Sequence, residues 1–63
     1  MDYTDFVGRN VRITTLDGEV CDTFIWGLRF EDETEQVVRE VWTEKYTFKV
    51  EHILKIEALV ENE

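Results

Sequence analysis

The stretch VRITTLDGEVCDTFIWG, residues Val11 to Gly27, carries the strongest structural signal in the chain. In its first part Val11 and Ile13 alternate with polar residues, which is the period-2 pattern of a strand with one buried face. Asp17-Gly18 follows, and this dipeptide favours a type I′ hairpin turn because both residues tolerate positive φ. The stretch therefore predicts a β-hairpin.

The second arm of this hairpin predicts a bend. Residues 19–30 are rich in β-branched and aromatic side chains, over a length greater than that of an average strand. Gly27 lies near the end of this run, and glycine inside a strand often marks a bend or a bulge. A long strand bent at a glycine curls a small sheet onto itself, so we expect a barrel.

The remaining residues predict a short helix and further strands. Tyr3 to Val7 has apolar side chains at one-turn spacing, which indicates an amino-terminal helix. Strands are expected at 36–43, 46–50 and 54–60, with Glu44-Lys45 as a tight turn. The fold class is mainly β, a short helix followed by a five-stranded, strongly bent antiparallel barrel, as one domain over residues 1–63. The residues expected to be largely buried are Val11, Ile13, Ile25, Phe48, Ile53 and Ile56.

Charge and composition restrict the function. Fifteen acidic residues face seven basic ones, a formal net charge of −8. Such a surface repels nucleic acid on average, because nucleic-acid affinity depends on Lys and Arg that neutralise phosphates. The single cysteine, Cys21, excludes an internal disulfide and fits a reducing compartment. Without a long apolar run or a signal-peptide pattern, we expect a cytoplasmic protein with no membrane partner.

Catalytic and metal-binding patterns are weak. His52 has no companion histidine, nucleophile or ligand cluster near it in the sequence, and we interpret it as a turn or surface residue. Cys21 shares a strand face with Ile25 and is interpreted as a small core residue. The acidic run EDETE lacks the ligand order and the glycine of a calcium loop. We therefore expect no enzyme activity, no catalytic residue, no metal site and no cofactor.

The order of elements and two motifs resemble the Sm-like proteins, which are small SH3-type barrels that open with a helix followed by five strands. The segment VRITTLDGEV resembles the first Sm motif with its Asp-Gly turn, and Ile25 and Gly27 fall on the apolar and glycine positions that follow. The segment FKVEHILKI resembles the second motif, although Val50 stands where the family has a glycine. The resemblance implies the barrel fold over nearly the whole chain.

The RNA-binding positions of that family are altered in this chain. In RNA-binding members a loop aspartate and asparagine, together with an arginine of the second motif, contact the base. An ungapped alignment places Arg29, Glu33 and Lys49 at these positions. Only Lys49 keeps the charge, and lysine lacks the planar fork of arginine. The resemblance therefore implies vestigial RNA-site positions, and nucleic acid is not an expected partner.

The chain also resembles the small acidic Sm-like inhibitors of the transcription terminator Rho. The likeness lies in DYTDF near the start, the LDGE hairpin and the ending FKVEHILKI. It implies a nucleic-acid mimic, since an acidic barrel can occupy a basic RNA-binding surface through electrostatic complementarity. The candidate partner-binding residues of the acidic loop are Glu31, Asp32, Glu33 and Glu35.

The main functional prediction is a non-catalytic acidic module for protein–protein interaction. The Sm resemblance implies self-association, in which the fourth strand of one subunit pairs with the fifth of its neighbour, here at Tyr46 to Lys49 and Leu54 to Val60. Trp26, Trp42 and Tyr46 are candidate interface residues, because aromatic side chains are enriched in interface anchors. In the alternative interpretation the tryptophans lie half-buried on the barrel wall.

The sequence is also compatible with two other functions. One is an RNA-binding Sm relative with an altered base pocket. The other is an inhibitor that mimics nucleic acid and binds a basic RNA- or DNA-binding protein.

Overall fold

The computed structural model describes residues 3–31, 33–34 and 37–60. All described strand pairings are antiparallel, in the sheet order β4-β3-β2-β1-β5. The predicted five strands after an amino-terminal helix are confirmed, with small shifts of their boundaries. The elements in chain order are a 3₁₀ helix Tyr3–Phe6, β1 Asn10–Thr15, β2 Val20–Phe30, β3 Val38–Thr43, β4 Thr47–Lys49, a second 3₁₀ helix Val50–His52, and β5 Ile53–Ala58.

The long strand β2 belongs to two ladders. Residues 20–24 pair with β1, and residues 25–30 pair with β3. The register shifts between Ile25 and Gly27, so Trp26 is the extra residue of a β-bulge. The irregularity predicted near Gly27 is confirmed, and the bulge makes consecutive residues Trp26 and Gly27 depart from strict alternation.

The β1–β2 turn differs from the predicted two-residue type I′ turn. The Gly18 N–H donates to the Thr15 carbonyl at 2.9 Å, and the Thr15 N–H donates to the Glu19 carbonyl at 2.9 Å. The loop therefore consists of residues 16–18, with Gly18 at a φ of 88°. This is the geometry of a three-residue loop that ends in a left-handed glycine. The Asp-Gly signal located the hairpin correctly but the predicted loop length was wrong.

The core is one apolar cluster shared by the strands. Val11, Ile13, Ile25 and Val41 are fully buried, and Ile56 is 6% exposed. Phe48 and Ile53, which were also predicted to be largely buried, are only partly buried and pack against this cluster from its margin. Phe48 lies on β4 and Ile53 begins β5, and these are the two end strands of the described sheet order. Val41 is the fully buried residue that the sequence-based list missed.

Candidate interaction surfaces

The strands β4 and β5 are the two ends of the described sheet order. Their positions agree with the edges that the sequence predicted for the fourth and fifth strands. An end strand carries backbone N–H and C=O groups on one side that no neighbouring strand uses. The described sheet therefore has two edges at which another extended chain can add.

The hydrogen-bond pattern of β4 shows which groups face outward. The Thr43 N–H donates to the Tyr46 carbonyl at 3.0 Å, so these residues form the hydrogen-bonded pair that closes the β3–β4 hairpin. Hydrogen-bonded and non-hydrogen-bonded pairs alternate along an antiparallel ladder. The next pair, Trp42 opposite Thr47, is therefore a non-hydrogen-bonded pair. The backbone groups of Thr47 and, by the same alternation, of Lys49 point away from β3.

A groove of about 720 Å³ lies between β4 and the first half of β2. A second hollow of about 420 Å³ continues it toward the β1–β2 loop. Val20 and Tyr46 line the groove and are 60% and 63% exposed. Charged side chains line it as well, namely Glu19, Asp22 and Lys45, so the groove wall is partly apolar and partly charged. The predicted interface residue Tyr46 thus lies beside the β4 edge, where its ring contacts Phe48 edge-on at 5.9 Å between centroids.

Cys21 also lines this groove. Its thiol is free and the residue is half-buried, so the interpretation as a core residue was wrong. Residues 20–22 at the start of β2 line the groove together with residues 45–48 at β4.

The second candidate surface is the tryptophan face, defined here by Trp26, Gly27, Arg29, Glu40 and Trp42 on β2 and β3. The rings of Trp26 and Trp42 lie 5.1 Å apart between centroids, with their planes at 39°. Trp26 is 57% exposed, whereas Trp42 is half-buried. The half-buried alternative therefore describes Trp42 but not Trp26.

Gly27 and two hydrogen bonds hold this ring pair in place. A Cβ atom on Gly27 would lie 3.2 Å from Trp42 Cε3, so the missing side chain lets the Trp42 ring pack against the backbone of β2. The Trp26 Nε1–H donates to the Thr43 carbonyl at 3.3 Å. The Trp42 Nε1–H donates to Glu40 Oε1 at 3.1 Å. Both indole N–H groups are thus used inside the protein.

Glu40 organises the charges of the tryptophan face. Its carboxylate lies 3.0 Å from Arg29 Nε. The pKa of Glu40 is lowered, first by the hydrogen bond from Arg29 and then by that from Trp42, with a smaller contribution from the Lys49 charge. Sequence reasoning missed Glu40. The alternation in VREVWT carries the signal, because it places Glu40 and Trp42 on the same face of β3.

The vestigial RNA-site positions do not form one pocket. Arg29 on β2 and Lys49 on β4 both lie opposite Glu40, one on each side of β3. The Glu40 carboxylate therefore separates the two cations. Glu33 is an exposed residue of the β2–β3 loop.

The acidic loop is described in part. Glu31 and Glu33 are exposed, and Glu31 Oε1 lies 3.7 Å from Arg39 Nη1. Asp32 and Glu35 lie outside the described residues. The described part of the loop therefore presents two exposed carboxylates, and that of Glu31 faces a cation.

Other charged side chains of the described residues make ordinary surface contacts. Arg12 and Asp22 face each other across β1 and β2 through two hydrogen bonds of 2.8 and 3.0 Å, and this pairing lowers the pKa of Asp22. His52 and Glu51 are both exposed. In the described part of the chain, the His, Cys, Asp and Glu side chains form no group of three suited to a metal ion. No described helix has the length and apolarity to cross a membrane.

The comparisons with known proteins identify no relative. No protein-family model matches the chain, and no curated protein or solved structure matches it.

Proposed function

We propose that this protein is a non-catalytic, acidic protein-binding module that self-associates by pairing the β4 edge of one copy with the β5 edge of another. The observation that carries this proposal is the sheet order, which ends at β4 and β5. The outward backbone groups of Thr47 and Lys49 support it, because an extended chain that adds to an edge gains main-chain hydrogen bonds.

The fold that accompanies this proposal is an open Sm-like or SH3-like barrel. It is supported by the sharing of β2 between two ladders and by the pairing of β1 with both β2 and β5. In such a barrel each subunit offers one β4 edge and one β5 edge. Pairing of unlike edges is head-to-tail, and such contacts produce a ring or an open filament.

The groove beside β4 favours an extended, partly apolar occupant. An added strand lies about 4.8 Å from its neighbour in the hydrogen-bonding direction, which places it along the groove rimmed by Val20 and Tyr46. Leu54 on β5 is 60% exposed and is an apolar side chain of the kind that fills this space. Burial of such side chains adds to the main-chain hydrogen bonds.

The test is assembly as a function of concentration. Native mass spectrometry and light scattering of the wild-type chain should show species heavier than the 7.6 kDa monomer as concentration rises. Thr47→Pro removes an outward N–H without removing a β3–β4 hydrogen bond, and it should weaken association by about tenfold or more, since one lost hydrogen bond costs roughly 1 kcal/mol and the ring obstructs the edge.

Thr47→Val is the matched control, because it keeps the backbone N–H. It should associate like the wild-type chain, and circular dichroism should show the same fold for both variants. A wild-type chain that stays monomeric at every concentration, or a Thr47→Pro variant that assembles like Thr47→Val, contradicts edge pairing.

Nucleic-acid mimicry is the second candidate function, favoured by the net charge of −8 and by the exposed Glu33 of the acidic loop. Electrostatic complementarity with a basic surface speeds association and sets specificity. RNA binding is less favoured, because Glu40 lies between Arg29 and Lys49.

A further inference from the structure

We propose that the paired indoles of Trp26 and Trp42 bind the guanidinium group of an arginine side chain on a protein partner. This inference rests on the proposed protein-binding function and names the chemistry of one partner group. The site lies on the face of β2 and β3, whereas self-association uses the edge of β4, so the two contacts can be tested separately.

The ring pair of Trp26 and Trp42 is open to solvent through Trp26. Trp26 is 57% exposed although it is one of the largest side chains in the chain. It follows the buried Ile25 on β2 and therefore faces outward, and the bulge brings Gly27 opposite Trp42 beside it. The Trp42 ring packs against the Trp26 ring, with 5.1 Å between the ring centroids. A supported and exposed indole is pre-organised for stacking, so a ligand does not have to order it first.

The π surface is the part of each indole that can bind a ligand. Both indole N–H groups already donate, that of Trp26 to the Thr43 carbonyl and that of Trp42 to Glu40. The remaining functional group is the π surface, which attracts cations and is strongest for Trp among the aromatic side chains. The hydrogen bond from Trp42 to a carboxylate polarises that indole in the direction that favours a cation.

The charges of the protein favour a cationic ligand at the ring pair. The net charge of −8 draws cationic partners toward the protein. Of the nearby cations, Arg29 is engaged by Glu40 at 3.0 Å, and Lys49 lies opposite the same carboxylate on β4. Glu44 is exposed and directly follows Thr43, the residue whose carbonyl accepts the Trp26 N–H. An exposed acidic residue therefore follows directly on the backbone group that holds the Trp26 ring.

These features select arginine over other ligands. A guanidinium is planar, stacks on aromatic faces and keeps donors at its edge for a carboxylate. A nucleobase also stacks on tryptophan, but its phosphates meet the net negative charge of the protein. The experiment must therefore distinguish binding of an arginine side chain from binding of nucleic acid.

The experiment titrates the protein with a blocked tetra-arginine peptide and follows tryptophan fluorescence and the NMR signals of both indole Nε1–H groups. The matched probe is the tetra-citrulline peptide, which has a similar shape but no charge. We expect the arginine peptide to shift the Trp26 signal and the citrulline peptide to bind about tenfold more weakly or worse, the size of one cation–π contact.

Trp26→Ala tests the site itself, and Tyr46→Ala is the control, since Tyr46 is an equally exposed aromatic residue outside the tryptophan face. Trp26→Ala should weaken arginine-peptide binding by about tenfold, whereas Tyr46→Ala should bind like the wild-type chain. Equal binding by Trp26→Ala overturns the proposal, because net charge alone would then hold the peptide. Equal binding of the citrulline peptide overturns it too.

Two further outcomes separate this inference from its alternatives. A uridine oligomer that shifts the indole signals more tightly than the arginine peptide overturns the proposal in favour of nucleic acid. Thr47→Pro should bind the arginine peptide like the wild-type chain. If the peptide fails while concentration-dependent assembly is intact, the tryptophan site is wrong and the edge-pairing function stands.

Discussion

At the scale of single residues, Glu40 joins three neighbours on the outer face of the sheet. It accepts hydrogen bonds from Arg29 and Trp42, and Lys49 lies opposite it on β4. These donors and charges stabilise the ionised carboxylate more than the protonated acid. The same contacts orient the Trp42 ring, so the charge state of Glu40 affects the tryptophan face as well as stability.

This environment makes a pH-dependent prediction. The folded-state pKa of Glu40 lies below its ordinary value of 4.5, so its contribution to stability is present above that value and is lost as the pH falls through the lowered pKa. Glu40→Gln should therefore be less stable than the wild-type chain at neutral pH, and the difference should shrink as the pH falls below the ordinary value.

Urea denaturation at neutral pH and at about pH 3 measures this difference. A double-mutant cycle with Arg29→Gln assigns the part that belongs to the ion pair. A stability difference between Glu40→Gln and wild type that stays constant over this range would show that the carboxylate charge contributes nothing there.

At the scale of elements, the β1–β2 hairpin depends on one left-handed glycine. Gly18 has a φ of 88°, and a Cβ atom there would meet no neighbour within 4 Å. The penalty of a side chain at this position is therefore a backbone penalty rather than a clash. Gly18→Ala should lower the free energy of unfolding by about 1–2 kcal/mol.

Gly18→Asn is the matched control, because Asn adopts the left-handed conformation more readily than Ala. Thermal or urea unfolding should place Gly18→Asn between the wild-type chain and Gly18→Ala. If Ala and Asn are equally tolerated, the strain assigned to this loop is absent.

The elements also show what the sequence can and cannot predict. Val11 and Ile13 carry an alternation that identifies β1, and Asp17-Gly18 locates the hairpin, because both signals are local. The bulge at Trp26 and the hydrogen bonds of the indoles depend on the register of β2 against β3, which no local pattern contains. The alternation in VREVWT places Glu40 on the same face of β3 as Trp42, but the contact of Glu40 with Arg29 also depends on that register. The sequence analysis therefore identified both tryptophans and missed Glu40.

At the scale of the whole molecule, the net charge of −8 sets the response to polyanions. Short uridine-rich RNA should bind no better than nonspecifically at physiological salt, with a dissociation constant of about 10⁻⁴ to 10⁻⁶ M or weaker. Fluorescence anisotropy with a labelled uridine oligomer measures it. Submicromolar binding would make the RNA-binding function the better account.

The charges of the acidic loop act on a partner at a distance, as the net charge of the whole molecule does. Glu31, Asp32, Glu33 and Glu35 can be replaced together with Gln or Asn. At Glu31 and Glu33, which are exposed, the free energy of unfolding should change by about 0.5 kcal/mol or less per site. If the loop meets a basic partner, capture of that partner in a pull-down should fall, and wild-type capture should weaken with added salt. Unchanged capture at the same salt tolerance would retire the mimicry function.

The central claim is that the β4 edge pairs with a second copy, and amide hydrogen exchange measures this at the atoms concerned. The outward N–H groups of Thr47 and Lys49 should exchange rapidly in dilute protein and become protected as the concentration rises and the mass increases. The Phe48 N–H is the internal control, because the β3–β4 ladder already uses it. A rise in mass while the exchange of Thr47 and Lys49 stays fast would contradict pairing at the β4 edge.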